Sequence, residues 1–160
     1  MQRKDKVSYY LDIAETVSKR STCIRRQYGA IIVHSDEILA TGYNGAPRGR
    51  RNCIDLGSCT RDNLKIPSGE RYELCRSVHA EANAIISAAR KDVIGGTIYL
   101  VGRNSKTGEL IDSTTPCSMC RRLIINAGIK NVVCRTSETE YTVTNVRDWV
   151  FEDDSLSITL

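Results

Sequence analysis

Val78-His79-Ala80-Glu81-Ala82-Asn83-Ala84-Ile85 and, 38 residues beyond His79, Pro116-Cys117-Ser118-Met119-Cys120 are the two stretches from which the rest of this chain is read. One neutral imidazole and two thiolates make three zinc ligands and leave a fourth tetrahedral position for water, whose pKa the metal lowers toward about 7. Glu81 is then free to move protons. The spacing makes sense if each fragment opens a helix. From His79, the apolar residues Ala80, Ala84, Ile85, Ala88 and Ala89 recur at helical spacing among strong helix formers, which predicts His79 and Glu81 in a first turn. The helix dipole favours a carboxylate there. Pro116 suits the start of a second helix, where its missing N–H costs nothing, and Cys117 and Cys120, three apart, share one face. The positive end of that helix also favours their thiolate forms.

Alone, H-x-E is a weak signal, and C-x-x-C fits a redox motif or half of a structural zinc site as well. Together they read as catalytic zinc, because a structural site would more naturally finish with a fourth protein ligand, whereas here a glutamate stands beside three. At 160 residues and 41% hydrophobic, the chain is long enough for one core, so residues 1–160 are expected to form a single domain. Its seven cysteines would suggest disulfides in a secreted protein. The polar start Met1-Gln2-Arg3-Lys4-Asp5-Lys6 lacks the apolar stretch of a signal peptide, so a cytoplasmic protein with reduced, partly metal-bound cysteines is expected. No apolar run is long enough to span a membrane. A net charge of +4 suits phosphorylated ligands and is too small to argue for nucleic acid.

The rest of the chain alternates helices and strands. Val7, Tyr10, Leu11, Ala14 and Val17 form the apolar stripe of a first helix ending near Lys19-Arg20. Strands follow at 30–34 and 38–43, joined at Ser35-Asp36-Glu37 in a hairpin. The polar stretch 44–77 shows no obvious element, and such a length usually signals function or an ordering ligand. Further strands are expected at 97–101 and 131–134, with helices on both faces of the sheet.

Over residues 9–135 the chain resembles the cytidine and deoxycytidylate deaminase superfamily. The resemblance rests on Gly29-Ala30-Ile31-Ile32-Val33, on Thr41-Gly42-Tyr43-Asn44-Gly45-Ala46-Pro47-Arg48-Gly49, on the two zinc fragments, and on Ile125-Asn126-Ala127-Gly128-Ile129. H-x-E followed by P-C-x-x-C defines the superfamily. The G-Y-N-G-x-P-R-G stretch points to its deoxycytidylate branch. The implied fold is α/β, a three-layer α/β/α arrangement around a mixed, roughly five-stranded sheet. The implied reaction is hydrolytic deamination of a cytosine nucleotide, with His79, Cys117 and Cys120 on zinc and Glu81 taking a proton from water before protonating N3. The resemblance also implies substrate contacts from Asn44, which would meet the sugar, and from Ala80. In part of the branch, dCTP and dTTP bind as effectors, usually within a hexamer; Gly45 and Arg48 are the candidate effector or phosphate contacts, with Arg50 and Arg51 beside them.

Four more cysteines, Cys23, Cys53, Cys59 and Cys75, frame the polar stretch. Some members of the branch carry a structural zinc there, with ligands from positions similar to Cys23 and Cys53, and Cys59 and Cys75 would complete a four-thiolate site. The alternative is four incidental thiols. Cys134 reads as core and His34 as a surface residue. Residues 102–115 depart from the family, whose connection here is only a few residues long; a hairpin beside the pocket is expected. The stretch after Arg135 matches poorly, leaving Tyr141 and Trp149 either to close the pocket or to pack in the core, which is favoured for Trp149. A tRNA adenosine deaminase, a deaminase of another cytosine nucleoside or nucleotide, and a noncatalytic zinc module remain as alternatives, and Glu81 argues against the last.

Overall fold

The computed structural model describes residues 1–153. Asp5 caps the first helix, α1 (Lys6–Ser18), its side chain accepting from the Ser8 N–H at 2.9 Å. The α1 stripe lands as expected: Tyr10, Leu11 and Ala14 are buried, with Val7 and Val17 packed at the margin. β1 (Arg26–His34) turns into β2 (Glu37–Tyr43) through Ser35 and Asp36, whose φ values of 50° and 64° are those of a two-residue type I′ turn. β1 begins earlier than its apolar run suggests, because Arg26 to Gly29 pair with Asn104 to Val101 across the sheet.

The 44–77 stretch carries two four-residue helices, α2 (Cys53–Leu56) and α3 (Thr60–Asn63), and a 3₁₀ turn at Tyr72–Leu74. Next come α4 (Ala80–Ile86), α5 (Arg90–Val93), β3 (Thr97–Asn104), α6 (Ser118–Ala127) and β4 (Asn131–Arg135). β5 (Tyr141–Asn145) and α7 (Val146–Phe151) close the described chain. The helical periodicity after His79 overshoots. The helix stops at Ile86, Ala89 is extended, and α5 starts afresh so that Val93 is buried and Ala88 packs against the core: tertiary burial overrides propensity.

The five strands run β2-β1-β3-β4-β5, antiparallel except for the β3–β4 pair, whose crossover is α6. Successive β1 residues face opposite ways: Ile31 and Val33 lie under α1, whereas Ala30 and Ile32 lie with the α4 and α6 residues Ala84 and Ile124. With both faces covered, 30–33 can be continuously apolar. The expected mixed α/β/α sheet is therefore the observed one. Two glycines set the layer spacing. A Cβ on Gly29 would stand 2.0 Å from the Ala14 carbonyl oxygen, and one on Gly42 would stand 2.2 Å from that of Ala80. Each helix backbone thus rests directly on the sheet.

An ion network ties α1 to the strands. Buried Arg135 donates to Asp12 at 2.8 Å and Glu15 at 2.7 Å, and Arg103 pairs with Glu15 at 2.6 Å. Burial pushes the Asp12 carboxyl up, but hydrogen bonds from Lys4 and Arg135 outweigh it and hold the pKa below its ordinary value. A depressed folded-state pKa gives stability that is present above the unfolded carboxylate range and lost as pH falls through the folded value. Asp12→Asn should therefore lower the melting temperature at neutral pH and flatten its decline toward about pH 3, read by thermal melts across that range. An acid limb as steep as in the unsubstituted protein would contradict this account.

Candidate active site

Both zinc fragments sit one position earlier on their helices than the sequence suggested. His79 is the N-cap of α4 and Cys117 the N-cap of α6, each with extended backbone. Pro116 precedes that cap and is fully buried, so it fixes the entry of the chain rather than the first helical turn. The His79 carbonyl accepts from the Asn83 N–H at 3.0 Å and the Cys117 carbonyl from the Arg121 N–H at 2.9 Å, which anchors both caps. Two helix N-termini therefore converge, one bringing His79 and Glu81 and the other Cys117 and Cys120.

The His79 Nδ1 lies 3.5 Å from Cys117 Sγ and 3.4 Å from Cys120 Sγ. Tetrahedral zinc, with bonds of about 2.1 Å to nitrogen and about 2.3 Å to sulfur, would hold its ligand atoms about 3.6 Å apart, so the three donors fit the metal as they stand. Among the described residues, no other set of three or more metal-ligating side chains has all its donor atoms within 4.8 Å. The donors already compete for protons. The hydrogen bond from Cys120, aided by His79, lowers the Cys117 thiol to about 4, while that bond and burial push Cys120 up. Burial would lower the His79 pKa, but the thiols of Cys117 and Cys75 outweigh it and raise it to about 10. A divalent cation would displace these protons.

Glu81, in the first turn of α4, is 5% exposed, and desolvation pushes its carboxyl up. It lines a cleft that is open to solvent. His79, Ala80 and Cys117 line the same cleft, with Tyr28 and Asn44 beside them. Asn44 is buried: its Oδ1 accepts from Ser21 Oγ at 2.5 Å and the Tyr28 N–H at 2.8 Å, and its Nδ2 donates to the Arg26 carbonyl at 2.9 Å. Gly45 and Val78 exchange backbone hydrogen bonds of 3.2 and 2.8 Å, which sets Asn44 next to the His79 segment. Gly45 has no room for a side chain, because a Cβ would meet Thr22 Oγ1 at 2.7 Å. Arg48 is exposed and outside the cleft.

Cys23, Cys59 and Cys75 line the cleft, and Cys53 is buried nearby. Burial raises the Cys53 thiol, and the other three add to the effect, but the four sulfurs are not drawn within the 4.8 Å that gathers the His79 set. Cys134 is core, its thiol pushed up to about 12 by burial. His34 shares a 2.9 Å hydrogen bond with the Asp92 carbonyl. Trp149 packs against the core with the Arg121 guanidinium over its ring, and Tyr141 is exposed on the edge strand; neither lines the cleft. The insertion folds back on itself, pairing Arg103 with Leu110, and its last residue, Thr115, reaches the cleft.

Arg25, Arg26, Arg61 and Tyr72 also line the cleft, and no motif or spacing marks them in the sequence. Arg61 is 6% exposed, donates to the carbonyls of Pro67 at 2.9 Å and Glu70 at 2.7 Å, and stacks 4.6 Å over Tyr72. Tyr72 in turn sets its ring edge-on to His79 at 5.2 Å. One available signal was the alternation of charged and aromatic residues through Arg61, Arg71 and Tyr72, but no periodicity ties them to His79.

Residues 4–136 match the family model described as the cytidine and deoxycytidylate deaminase zinc-binding region. The chain is 38% identical to a deoxycytidylate deaminase of Schizosaccharomyces pombe, over 81% of this chain and 37% of that protein. It is 36% identical to the deoxycytidylate deaminase of Mycobacterium phage D29, over 83% of this chain and 96% of that one. The chain thus spans little more than a third of the yeast relative and nearly all of the phage one. Among solved structures, the dCMP deaminase of cyanophage S-TIM5 in complex with dCMP and dUMP superposes with a TM-score of 0.57 at 27% identity, over 84% of each chain.

The contact of Gly42 with α4 gives a sharp test of how the ligand set is held. Gly42→Ala should push the start of α4 off β2, cost about 1–3 kcal/mol in urea unfolding, and weaken zinc retention against a chelator. Unchanged zinc retention would mean that His79 is positioned by something other than this approach.

Proposed function

Because the chain belongs to the cytidine and deoxycytidylate deaminase family, we propose that it catalyses zinc-dependent hydrolysis of dCMP to dUMP and ammonia. The observation that carries the reading is the buried Glu81 carboxyl beside a three-donor set whose spacing suits zinc, in one solvent-open cleft. Zinc, when bound by His79, Cys117 and Cys120, supplies Lewis acidity and lowers the pKa of water at its open position to about 7. Glu81 moves the protons. As a carboxylate it takes one from water; as the acid it gives one to N3 of cytosine, after which C4 gains the hydroxyl and loses ammonia. Burial makes the protonated carboxyl accessible and walls the reaction from bulk water. Ala80, first residue of α4, offers a backbone N–H that the helix leaves unpaired. Asn44 spends one Nδ2 hydrogen on Arg26, and the other is left for a sugar hydroxyl.

Several finer assignments extend this reading. Residues 1–160 act as one deaminase-like domain. A second, structural zinc would take Cys23, Cys53, Cys59 and Cys75 as ligands, of which three line the cleft and Cys53 is buried. Exposed Ile86, Val143, Val150 and Phe151 support a homo-oligomer, for which a hexamer is the family expectation. The loop with Gly45 and exposed Arg48 is the candidate dCTP and dTTP effector contact. A cytoplasmic location suits seven unpaired cysteines, and no helix among the described residues is long and apolar enough to cross a membrane.

Ammonia release by zinc-loaded protein from cytidine, CMP, dCMP, dCTP and tRNA tests the main assignment. dCMP should be preferred, and Glu81→Gln should reduce turnover about a hundred- to ten-thousandfold while dCMP binding persists. Failure of every cytosine substrate would sink the reading. Metal analysis of the same preparation is expected to give two zinc ions per chain; one, with full activity, removes the structural zinc. Sedimentation with and without dCTP or dTTP tests assembly and effectors, and a monomer unmoved by either removes both.

A further inference from the structure

Arg61 is buried, yet among the described residues its guanidinium meets no carboxylate. It donates to the carbonyls of Pro67 at 2.9 Å and Glu70 at 2.7 Å, and its Nε has no hydrogen-bond partner. Burying a cation is costly unless its charge is met. What meets it is the ring of Tyr72, whose centroid lies 4.6 Å from the guanidinium carbon. Arg61 also organises the chain that leads to this ring. Its own carbonyl accepts from the Ile66 N–H at 2.9 Å, so backbone and side chain together close residues 61–70 around it. Arg71 then takes a left-handed conformation, with φ 50°. That conformation is uncommon for a residue with a side chain and persists where the surroundings over-determine it. It turns the chain into the 3₁₀ turn Tyr72–Leu74, and the Cys75 N–H closes the turn on the Tyr72 carbonyl at 2.9 Å.

The same ring meets a zinc ligand. Tyr72 and His79 lie 5.2 Å apart between ring centroids, with their planes at 87°. The contacts of His79 Nδ1 with Cys117 Sγ at 3.5 Å and Cys120 Sγ at 3.4 Å fix where that nitrogen points. Contacts on one nitrogen still leave the imidazole free to tilt about it. A ring standing perpendicular to the imidazole opposes that tilt, and the Cys75 thiol, carried by the same turn, adds a hydrogen bond to His79.

We propose that Tyr72, pinned by Arg61, is a positioning residue for the zinc ligand His79, fixing the plane of the imidazole so that zinc affinity depends on residues 61–72 being in place. The inference rests on the reading of His79, Cys117 and Cys120 as the zinc site. A ligand already held in its coordinating orientation loses less freedom when the metal binds, and outer contacts of this kind change metal affinity by about ten- to a hundredfold. Two stretches that are distant in sequence are thereby coupled: the polar loop does not touch the metal, yet it sets the ligand that does.

The chain contains two histidines, His34 and His79, so each imidazole can be followed separately by long-range proton–nitrogen NMR of histidine-labelled, zinc-loaded full-length protein without substrate. Titration with EDTA then reads the zinc held at His79 itself, apart from any zinc elsewhere on the chain. Tyr72→Leu should lose the metal-bound His79 signal at about ten- to a hundredfold less chelator than the unsubstituted protein. Tyr72→Phe, which keeps the ring, should match the unsubstituted protein, and Arg61→Met, which keeps length without charge, should fall between. His34, bonded to the Asp92 carbonyl and outside the cleft, should give the same signals throughout. Undiminished zinc retention in Tyr72→Leu overturns the proposal, as does a loss in Tyr72→Phe as large as in Tyr72→Leu. If the His34 signals of Tyr72→Leu also move, that variant has lost its fold, and Arg61→Met decides: unchanged retention there overturns the proposal. An unsubstituted protein with no zinc at His79 overturns the functional reading and this inference with it, whereas zinc at His79 that ignores Tyr72 overturns this inference alone.

Discussion

Three donor atoms from two helix starts must meet within 4.8 Å of one another at a partly buried point, and the architecture follows from that requirement. β2 and β3 both run antiparallel to β1 and so parallel to one another. The chain leaving β2 returns as α4, and the chain leaving β3 returns as α6. Helices that follow parallel strands on the same face begin at the same sheet edge, above the carboxyl ends of the strands, where open α/β sheets place their sites. The N-cap positions of His79 and Cys117 are then geometric neighbours although 38 residues separate them. Gly42 completes the arrangement, since any side chain there would hold the start of α4 away from the sheet.

Bringing these groups together creates a cost that the surroundings offset. A carboxyl and two thiols in one half-buried space resist ionisation together, and the imidazole of His79 offsets part of this by favouring the Cys117 thiolate. The long polar stretch supplies the enclosure. Arg61 satisfies two carbonyls of that stretch, stacks on Tyr72, and through it sets a ring edge against His79. A segment with almost no regular structure is thereby held in one arrangement over the metal ligands, and imidazole orientation of this kind tunes a metal site.

The parts legible in the sequence were those with local signatures. The ligand fragments were readable because zinc chemistry restricts residue type and spacing, and 30–33 because a strand covered on both faces needs an unbroken apolar run. Helix limits were less so: Ala88 and Ala89 are good helix formers, yet the break at Ser87 is set by burial of Val93. β5 escaped because Tyr141 and Val143 are exposed on an edge strand and leave no alternation to read. Arg61 and Tyr72 escaped for another reason. Their roles are contacts across a loop, and no periodicity encodes such contacts.

The distribution of charge along the cleft bears on how a substrate is oriented. Glu81 is the buried carboxylate at the metal end, and the guanidinium-bearing side chains share the same lining. An anion seated beside an ionised Glu81 would be repelled by roughly 4 kcal/mol per pair of unit charges at about 4 Å and an effective dielectric constant of about 20. The part of the lining that carries Glu81 therefore disfavours an anion, whereas Arg25, Arg26 and Arg61 favour one.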